Sequence, residues 1–213
     1  MHISDGILPA QIAIAGYAGT GLVTWYSLRK INQLPNPQAQ IPKASLLTAA
    51  FFVASWIHIP VPPTSVHLIL NGLLGTVLGY FAFPAILTGL LFQAVMFQHG
   101  GLSTLGINAL MMGIPAIAAH HIFQLRYQFK SLPAWSLGVF GFLSGALGLG
   151  LAVVIFFGLL VTHLAAGLDA QTETAAIIGL CLAHIPVVML EGIFTALLVT
   201  FFNRVKPELL PSP

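Results

Sequence analysis

The stretch LPAWSLGVFGFLSGALGLGLAVVIFFGLLVTH, residues 132–163, decides the fold class. It contains no Lys, Arg, Asp or Glu, and it is longer than the roughly 20 apolar residues that one helix needs to cross a bilayer. A run of this length and composition predicts a transmembrane helix. Its extra length indicates that the helix is tilted or irregular.

The rest of the chain has the same character. Its 213 residues are 57% hydrophobic and 6% charged, with a mean hydropathy of +0.95, whereas a soluble domain has roughly 25% charged residues. We therefore expect an all-α integral membrane protein in which residues 1–213 form a single transmembrane domain. The net charge of +2 gives no reason to expect a nucleic-acid partner. No cleavable signal peptide is evident, and the one cysteine, Cys181, lies within an apolar run and is expected in the core.

Seven apolar segments predict a bundle of seven transmembrane helices. Their approximate limits are 7–28, 43–59, 66–83, 84–98, 103–123, 132–163 and 174–203. The Pro-rich residues 60–65 predict a rigid turn between the second and third helices.

Basic residues predict the orientation of this bundle. With seven spans and the N-terminus outside, every Lys and Arg falls in a cytoplasmic loop or at a cytoplasmic helix end, as the positive-inside rule requires. These residues are Arg29, Lys30, Lys43, Arg126, Lys130, Arg204 and Lys206. Asp5, Asp169 and Glu173 then fall outside, and the C-terminus is expected in the cytoplasm.

The N-terminal sequence Met1-His2-Ile3-Ser4-Asp5-Gly6 has the chemistry of a metal chelate. The Met1 amine, the His2 amide nitrogen and Nδ1 of the His2 ring can bind one ion through two fused chelate rings. Such a site leaves a fourth planar position for another ligand. Tetragonal nitrogen sites suit Ni(II) and Cu(II), and imidazole suits several first-row metals. The alternative interpretation is that Met-His stands by accident at a frayed chain end.

His67 is the best candidate for the fourth ligand. It is expected at the outer end of the third helix, directly after the stiff turn, and a rigid turn can aim one ring nitrogen. The alternative is an interfacial side chain bonded to a backbone carbonyl. His58, His99 and His163 are expected in the same leaflet, whereas His120 and His121 belong to the inner end of the fifth helix.

Several polar residues within and between the spans have two interpretations. They could orient the metal ligands, or they could tie helices to one another. The residues considered for the first role are Ser65, Asn71, Gln93, His99 and Asn108.

His184 and Glu191 lie about ten ångströms apart along the seventh helix, at about 1.5 Å per residue. Intramembrane ionisable residues are hypotheses for a functional site by default. For Glu191 we prefer a structural hydrogen bond that ties this helix to its neighbours. The small-residue spacings Gly75-x-x-x-Gly79 and Gly141-x-x-x-Gly145 are expected to serve internal packing.

The sequence contains none of the common catalytic motifs. It has no G-x-x-x-x-G-K-[ST], no H-E-x-x-H and no G-x-S-x-G, and its few carboxylates are dispersed. We therefore expect a protein that is not an enzyme. The alternatives are a stand-alone secondary transition-metal carrier, for which only Glu191 supplies an intramembrane acid, and an intramembrane metalloenzyme using His99, His163 or His184. A haem-binding membrane cytochrome is a further alternative.

Several landmarks along the chain resemble those of the CbiM/NikM family, the substrate-binding (S) components of energy-coupling factor transporters for cobalt and nickel. The landmarks are Met1-His2-Ile3-Ser4-Asp5-Gly6-Ile7-Leu8, Ser65-Val66-His67, Gln93-Ala94, His99-Gly100-Gly101-Leu102, Leu105-Gly106-x-Asn108 with Met112-Gly113, His184-Ile185-Pro186, Glu191-Gly192 and Lys206-Pro207-Glu208-Leu209. They cover nearly the whole chain.

The resemblance implies a seven-helix bundle into which the N-terminal segment inserts from outside. It implies metal ligands at Met1, His2 and His67, with Co(II) or Ni(II) as the transported ligand and no catalytic cofactor. It also implies a location in the cell membrane and a connection with cobalamin biosynthesis. The implied partners are a transmembrane scaffold (T) component, two cytoplasmic ABC-type ATPases and often a small additional membrane subunit. Ala50-x-x-x-Ala54 resembles the stripe by which S components dock on the scaffold. The choice between nickel and cobalt stays open.

Overall fold

The computed structural model describes residues 2–61, 64–129, 131–162 and 170–211, and for residues 58–66 and 170–174 it describes the backbone. Some residues that carry sequence predictions lie outside the described residues. They are Met1, Pro62, Pro63, Lys130, His163 and Asp169.

The described chain is helical apart from one small antiparallel sheet. Its helices are α1 (Ala10–Ile31), α2 (Ile41–Ala54), α3 (Asn71–Leu78), α4 (Ala82–Phe97), α5 (Leu105–Gln124), α6 (Ser136–Thr162), α7 (Ala170–Ala183) and α8 (Ile185–Val205). The strands are β1 (His58–Val61) and β2 (Thr64–His67). Short 3₁₀ turns lie at Pro37–Gln40, Gly79–Phe81, Leu125–Gln128 and Pro207–Leu209.

Four stretches of the described residues are long and apolar enough to cross a membrane. They are Asn71–Phe97, Leu105–Gln128, Ser136–Thr162 and Ala175–Val205. The predicted count of seven spans is therefore not confirmed. The predicted second span corresponds to α2, which has 14 residues, and the predicted third and fourth spans fall within the single stretch Asn71–Phe97.

The region between α2 and α3 differs from its prediction. We expected the second helix to continue to about residue 59 and the third to begin near residue 66, and both limits are wrong. The helix ends at Ala54, and a hairpin follows in which the Cα atoms of His58 and His67 are partners. Pro60 disfavours a helical conformation in the residue before it, and β-branched Ile57 and Ile59 favour extended backbone. His67 therefore ends a strand, not a helix.

The predicted seventh helix is interrupted at His184, where α7 gives way to α8. Pro186 occupies the first turn of α8. Proline is accepted there because it has no N–H to lose, but within a continuous helix it would break a hydrogen bond and collide with the preceding turn. The predicted seventh span, 174–203, therefore corresponds to the single stretch Ala175–Val205 with a one-residue break inside it.

Helix α3 lies at the centre of the molecule, and all eight of its residues are buried. A methyl group at Gly72 would collide with the backbone of Gly145 on α6, and one at Gly75 with the backbone of Ala116 on α5. A methyl group at Gly145 would in turn meet Thr195 of α8. These contacts confirm internal packing for the glycine spacings. Ala50 is exposed and Ala54 is buried, so the two do not share one exposed face.

Candidate metal centre

The N-terminal segment folds back onto the start of α5. The N–H of Ile3 donates to Oδ1 of Asn108 at 3.0 Å, and its carbonyl accepts from Oγ1 of Thr104 at 2.7 Å and from Nδ2 of Asn108 at 2.9 Å. The Ile3 side chain is buried in the hydrophobic core. Because both polar backbone groups of Ile3 have partners, this residue can lie in the interior without unsatisfied backbone groups.

Asp5 provides a second attachment for this segment. Its Oδ1 accepts from the N–H of Ser103 at 2.9 Å and from the Ser103 hydroxyl at 2.5 Å. These bonds to Ser103 lower the pKa of the Asp5 carboxyl, chiefly through the hydroxyl. A carboxylate beside the first turn of α5 also has a favourable interaction with the helix dipole.

The loop after α4 brings a third histidine to the segment. Gln98 has a left-handed conformation with φ 53°, and the N–H of His99 donates to the Gln93 carbonyl at 3.1 Å, which closes the end of α4. Gly100 follows with φ 87°, where a Cβ would be 3.5 Å from Cδ2 of His2. Glycine suits the left-handed conformation, and the loop lies in van der Waals contact with the His2 ring.

The side chains of His2, His67 and His99 form a compact cluster. Their ring centroids are 4.1 Å apart for His2 and His99, 5.2 Å for His67 and His99, and 5.3 Å for His2 and His67. One potential ligand atom from each ring lies within 4.8 Å of the other two. Three imidazoles converging in this way could hold a first-row transition-metal ion.

The Gln93 side chain lies against the His2 ring, with Oε1 of Gln93 2.9 Å from Nε2 of His2. With this oxygen as acceptor, a neutral His2 ring has its proton on Nε2 and its lone pair on Nδ1. Nδ1 is buried and has no hydrogen-bond partner among the described residues. This is the ring nitrogen that a chelate with the His2 amide requires.

The His67 ring is oriented in the opposite sense. Its Nδ1 donates to the Leu68 carbonyl at 3.0 Å, which leaves the lone pair of the neutral ring on Nε2. A histidine that ligates a metal typically donates its other N–H to a carbonyl or carboxylate in this way.

The other residues predicted for the site divide between two places. Gln93, His99 and Asn108 lie beside His2, whereas the Asn71 amide donates to the carbonyls of Met112 and Gly148 and so ties α3 to α5 and α6. Ser65 lies on β2, with its backbone opposite Pro60. Met1 lies outside the described residues.

The two intramembrane residues singled out earlier also have identifiable partners. His184 lies at the α7–α8 junction, and its Nδ1 donates to the Leu180 carbonyl at 2.8 Å. The Glu191 carboxylate accepts from the backbone N–H groups of Ile69 and Leu70, which confirms the preferred structural hydrogen bond. Sequence reasoning did not propose His99 as a direct ligand, although its position before Gly100-Gly101 placed it in the outer leaflet.

Docking of the metal-free N-terminal segment is expected to depend on pH through His2. Burial, with His99 and His67 nearby, lowers the pKa of the His2 ring well below 6.5. Below pH 6.5 the undocked segment binds a proton that the docked segment does not, so docking weakens as pH falls, by about 1.4 kcal/mol per pH unit until the lowered pKa is reached.

Hydrogen exchange of the Ile3 amide, corrected for the intrinsic rate, measures this effect between pH 7.5 and 5. The variant His2→Asn is the control and is expected to show a flatter dependence. Protection that does not change with pH in the native protein contradicts the prediction, as does the same slope in the variant.

The apolar helices and the histidine cluster together define a multi-pass membrane protein with a candidate site for a transition metal. A model of the family CbiM, described as the cobalt uptake substrate-specific transmembrane region, matches residues 2–209. The chain belongs to the CbiM family.

Individual relatives agree with this membership. A Haemophilus influenzae protein named for metal transport is 36% identical over 99% of this chain and 97% of its own length. A fused nickel transport protein NikMN of Rhodobacter capsulatus is 31% identical over 99% of this chain and 64% of its own length. A cobalt transport protein CbiM of Geobacter sulfurreducens is 31% identical over 99% of this chain and 61% of its own length.

Two solved structures share the fold. A truncated transition metal transporter superposes with a TM-score of 0.77 at 23% identity and covers 96% of this chain and 99% of its own. A second transition metal transporter superposes with a TM-score of 0.78 at 23% identity, over 96% of this chain and 93% of its own.

Proposed function

We propose that this chain binds Co(II) or Ni(II) with high affinity as the substrate-binding component of an ATP-driven energy-coupling factor importer. Residues 1–213 act as one substrate-binding unit. The ligands are the Met1 amine, the amide nitrogen and Nδ1 of His2, and Nε2 of His67. His99 lies against both rings and shields the site or adds a ligand.

The observation that carries the proposal is the state of the His2 ring. Its Nε2 is occupied by Gln93, while its Nδ1 is buried without a hydrogen-bond partner among the described residues. Leaving a buried polar atom unpaired costs about 1–3 kcal/mol. A metal ion at Nδ1 removes that cost, and the attachment of Ile3 to Asn108 and Thr104 holds the adjacent His2 backbone within reach.

The proposed orientation has the N-terminus outside and inserted into a seven-helix bundle, with the C-terminus in the cytoplasm. In this arrangement the metal enters from the outer side. Energy comes from partners, because the sequence has no P-loop. The partners are a transmembrane scaffold component and two cytoplasmic ATPases, with a small membrane subunit in some assemblies.

The contacts of Glu191 argue against a stand-alone carrier. Such a carrier needs an intramembrane carboxylate free to exchange protons or ions along a path. Oε1 of Glu191 instead accepts two backbone N–H groups, which fixes the side chain at the link between β2 and α3.

Titration calorimetry of the detergent-purified protein tests the proposed function. Ni(II) and Co(II) are titrated into the protein with its native terminus and into a variant with one residue added before Met1. The addition turns the amine into an amide, so affinity is expected to fall by more than the roughly 10- to 100-fold typical of losing an outer-sphere partner. The control is one residue added after Pro213. Equal affinities for the native and extended termini remove the amine from the site.

A further inference from the structure

Glu191 is a buried carboxylate within a membrane-spanning stretch. Its side chain is 1% exposed, and burying a carboxylate costs several kcal/mol unless hydrogen bonds compensate. Oε1 accepts from the N–H of Ile69 and, at 3.0 Å, from the N–H of Leu70. Oε2 has no hydrogen-bond partner among the described residues. The carboxylate is thus directed at the short link between β2 and α3.

This link has a backbone conformation that needs support. Leu70 is left-handed, with φ 59° and ψ 14°, a conformation that residues with a side chain rarely adopt. Successive N–H groups in such a turn form a concave site for an anion. The Glu191 carboxylate occupies that position and stabilises the turn.

The same link determines the state of His67. The N–H that Glu191 accepts from belongs to Ile69, and the carbonyl of that same peptide unit belongs to Leu68. That carbonyl accepts from Nδ1 of His67 at 3.0 Å. One peptide unit therefore stands between the Glu191 carboxylate and the His67 imidazole. Hydrogen bonds in such a chain polarise one another.

We propose that Glu191 is a positioning residue for metal binding, acting on His67 through the Leu68–Ile69 peptide. The carboxylate polarises the peptide, and the peptide carbonyl keeps the proton on Nδ1, so that Nε2 offers its lone pair to the metal. This is the carboxylate–histidine–metal arrangement with a peptide unit inserted. The inference rests on the proposed function, because it takes His67 as a ligand.

A double-mutant cycle tests the inference. Glu191→Gln keeps the size and one acceptor oxygen but removes the charge, and His67→Ala removes the ligand. Co(II) affinity by calorimetry and the visible d–d spectrum of bound Co(II) are measured for the native protein, both single variants and the double variant. We expect Glu191→Gln to lower affinity about 10- to 100-fold and to shift the d–d bands. In the His67→Ala background the same change is expected to alter affinity by no more than about twofold.

Thr195→Val is the matched control. Thr195 is fully buried on the same helix, one turn from Glu191, and its hydroxyl has no hydrogen-bond partner among the described residues. Its replacement removes a polar atom from α8 without touching the link, so Co(II) affinity is expected within about twofold of native.

Each outcome separates the inference from the proposed function. If the native protein binds neither Co(II) nor Ni(II), the proposed function fails and the inference fails with it. If His67→Ala weakens binding while Glu191→Gln matches the native protein in affinity and spectrum, the inference alone is overturned. Equal losses from Glu191→Gln in both backgrounds also overturn it, because they indicate a general structural role.

Hydrogen exchange in the native protein covers the case in which Glu191→Gln does not fold. Co(II) bound to Nε2 increases the acidity of Nδ1–H, which strengthens the whole chain of bonds. The Ile69 and Leu70 amides are then expected to exchange at least about tenfold more slowly with metal than without. Unchanged exchange at both amides, under conditions where Co(II) binds, overturns the inference.

Discussion

Replacement of His67 by alanine is expected to lower the affinity for Ni(II) and Co(II) at least about a hundredfold, the upper end of what loss of an outer-sphere contact costs. The residue supplies the one proposed ligand that lies far from the N-terminus in sequence. Its loss leaves the N-terminal chelate without a fourth nitrogen. His2→Ala is expected to cause a loss of at least the same size, because it removes the ring nitrogen of the chelate itself.

His121→Ala is the control for both variants. His121 is exposed on α5 and its ring stacks edge-on to Tyr80, with centroids 5.8 Å apart, away from the cluster. Calorimetry with both metals is expected to give native affinity for this variant. Native affinity in His67→Ala would contradict the assignment of the ligand. His99→Ala is added to the series to determine the role of this ring. If His99 is a third imidazole ligand, the variant loses metal affinity to an extent comparable with His67→Ala; if its ring only packs on His2, the loss is smaller.

The sequence was sufficient to predict the membrane environment of the protein and two of the three histidines in the cluster. A long uncharged run such as residues 132–163 has one stable solution in a bilayer, a helix that satisfies its own backbone, and α6 (Ser136–Thr162) confirms it. The His2 and His67 rings do come together. A chelate formed by an adjacent amine, amide and imidazole requires only local geometry. It could therefore be proposed from the sequence before the fold was known.

What sequence could not predict depends on contacts between distant segments. The hairpin that carries His67 follows from pairing between β1 and β2, and hydropathy does not distinguish a short apolar strand from the start of a helix. The division of apolar residues 66–98 into two separate spans is not confirmed, for a related reason. Helix α3 ends at Gly79, which has a positive φ of 59°, and α4 follows after a 3₁₀ turn. Both helices belong to the single membrane-spanning stretch Asn71–Phe97.

The partners of the polar residues were the least predictable feature. Asn71 and Asn108 are the same residue type on neighbouring helices, yet one ties three helices together and the other holds the backbone of Ile3. Both interpretations, orientation of the ligands and attachment of helices, were open in the sequence. Asn71 attaches helices to one another and Asn108 positions the segment that carries His2. Only tertiary packing decides which backbone groups lie opposite each amide.

Replacement of Asn108 by alanine is expected to lower metal affinity almost as strongly as loss of a ligand. The Ile3 N–H loses its acceptor and stays buried, which costs about 1–3 kcal/mol, and the Ile3 carbonyl loses one of two donors, worth about 1 kcal/mol. Docking of the N-terminal segment is therefore weakened by about 2–4 kcal/mol, which corresponds to roughly 30- to 1,000-fold in affinity if metal binding requires docking.

Thr104→Val provides the graded comparison at the same attachment. It removes the hydroxyl that donates to the Ile3 carbonyl at 2.7 Å, but Asn108 still bonds to both groups of Ile3. A loss of only about 0.5–1.5 kcal/mol, or roughly two- to tenfold in affinity, is expected. Calorimetry with Ni(II) measures both variants, and exchange of the Ile3 amide without metal measures docking directly. The contradicting outcome is an Asn108→Ala variant whose Ile3 amide exchanges fast while its Ni(II) affinity is native. Affinity and docking can separate in this way only if the ligands lie elsewhere, so the metal would then be bound without the docked segment.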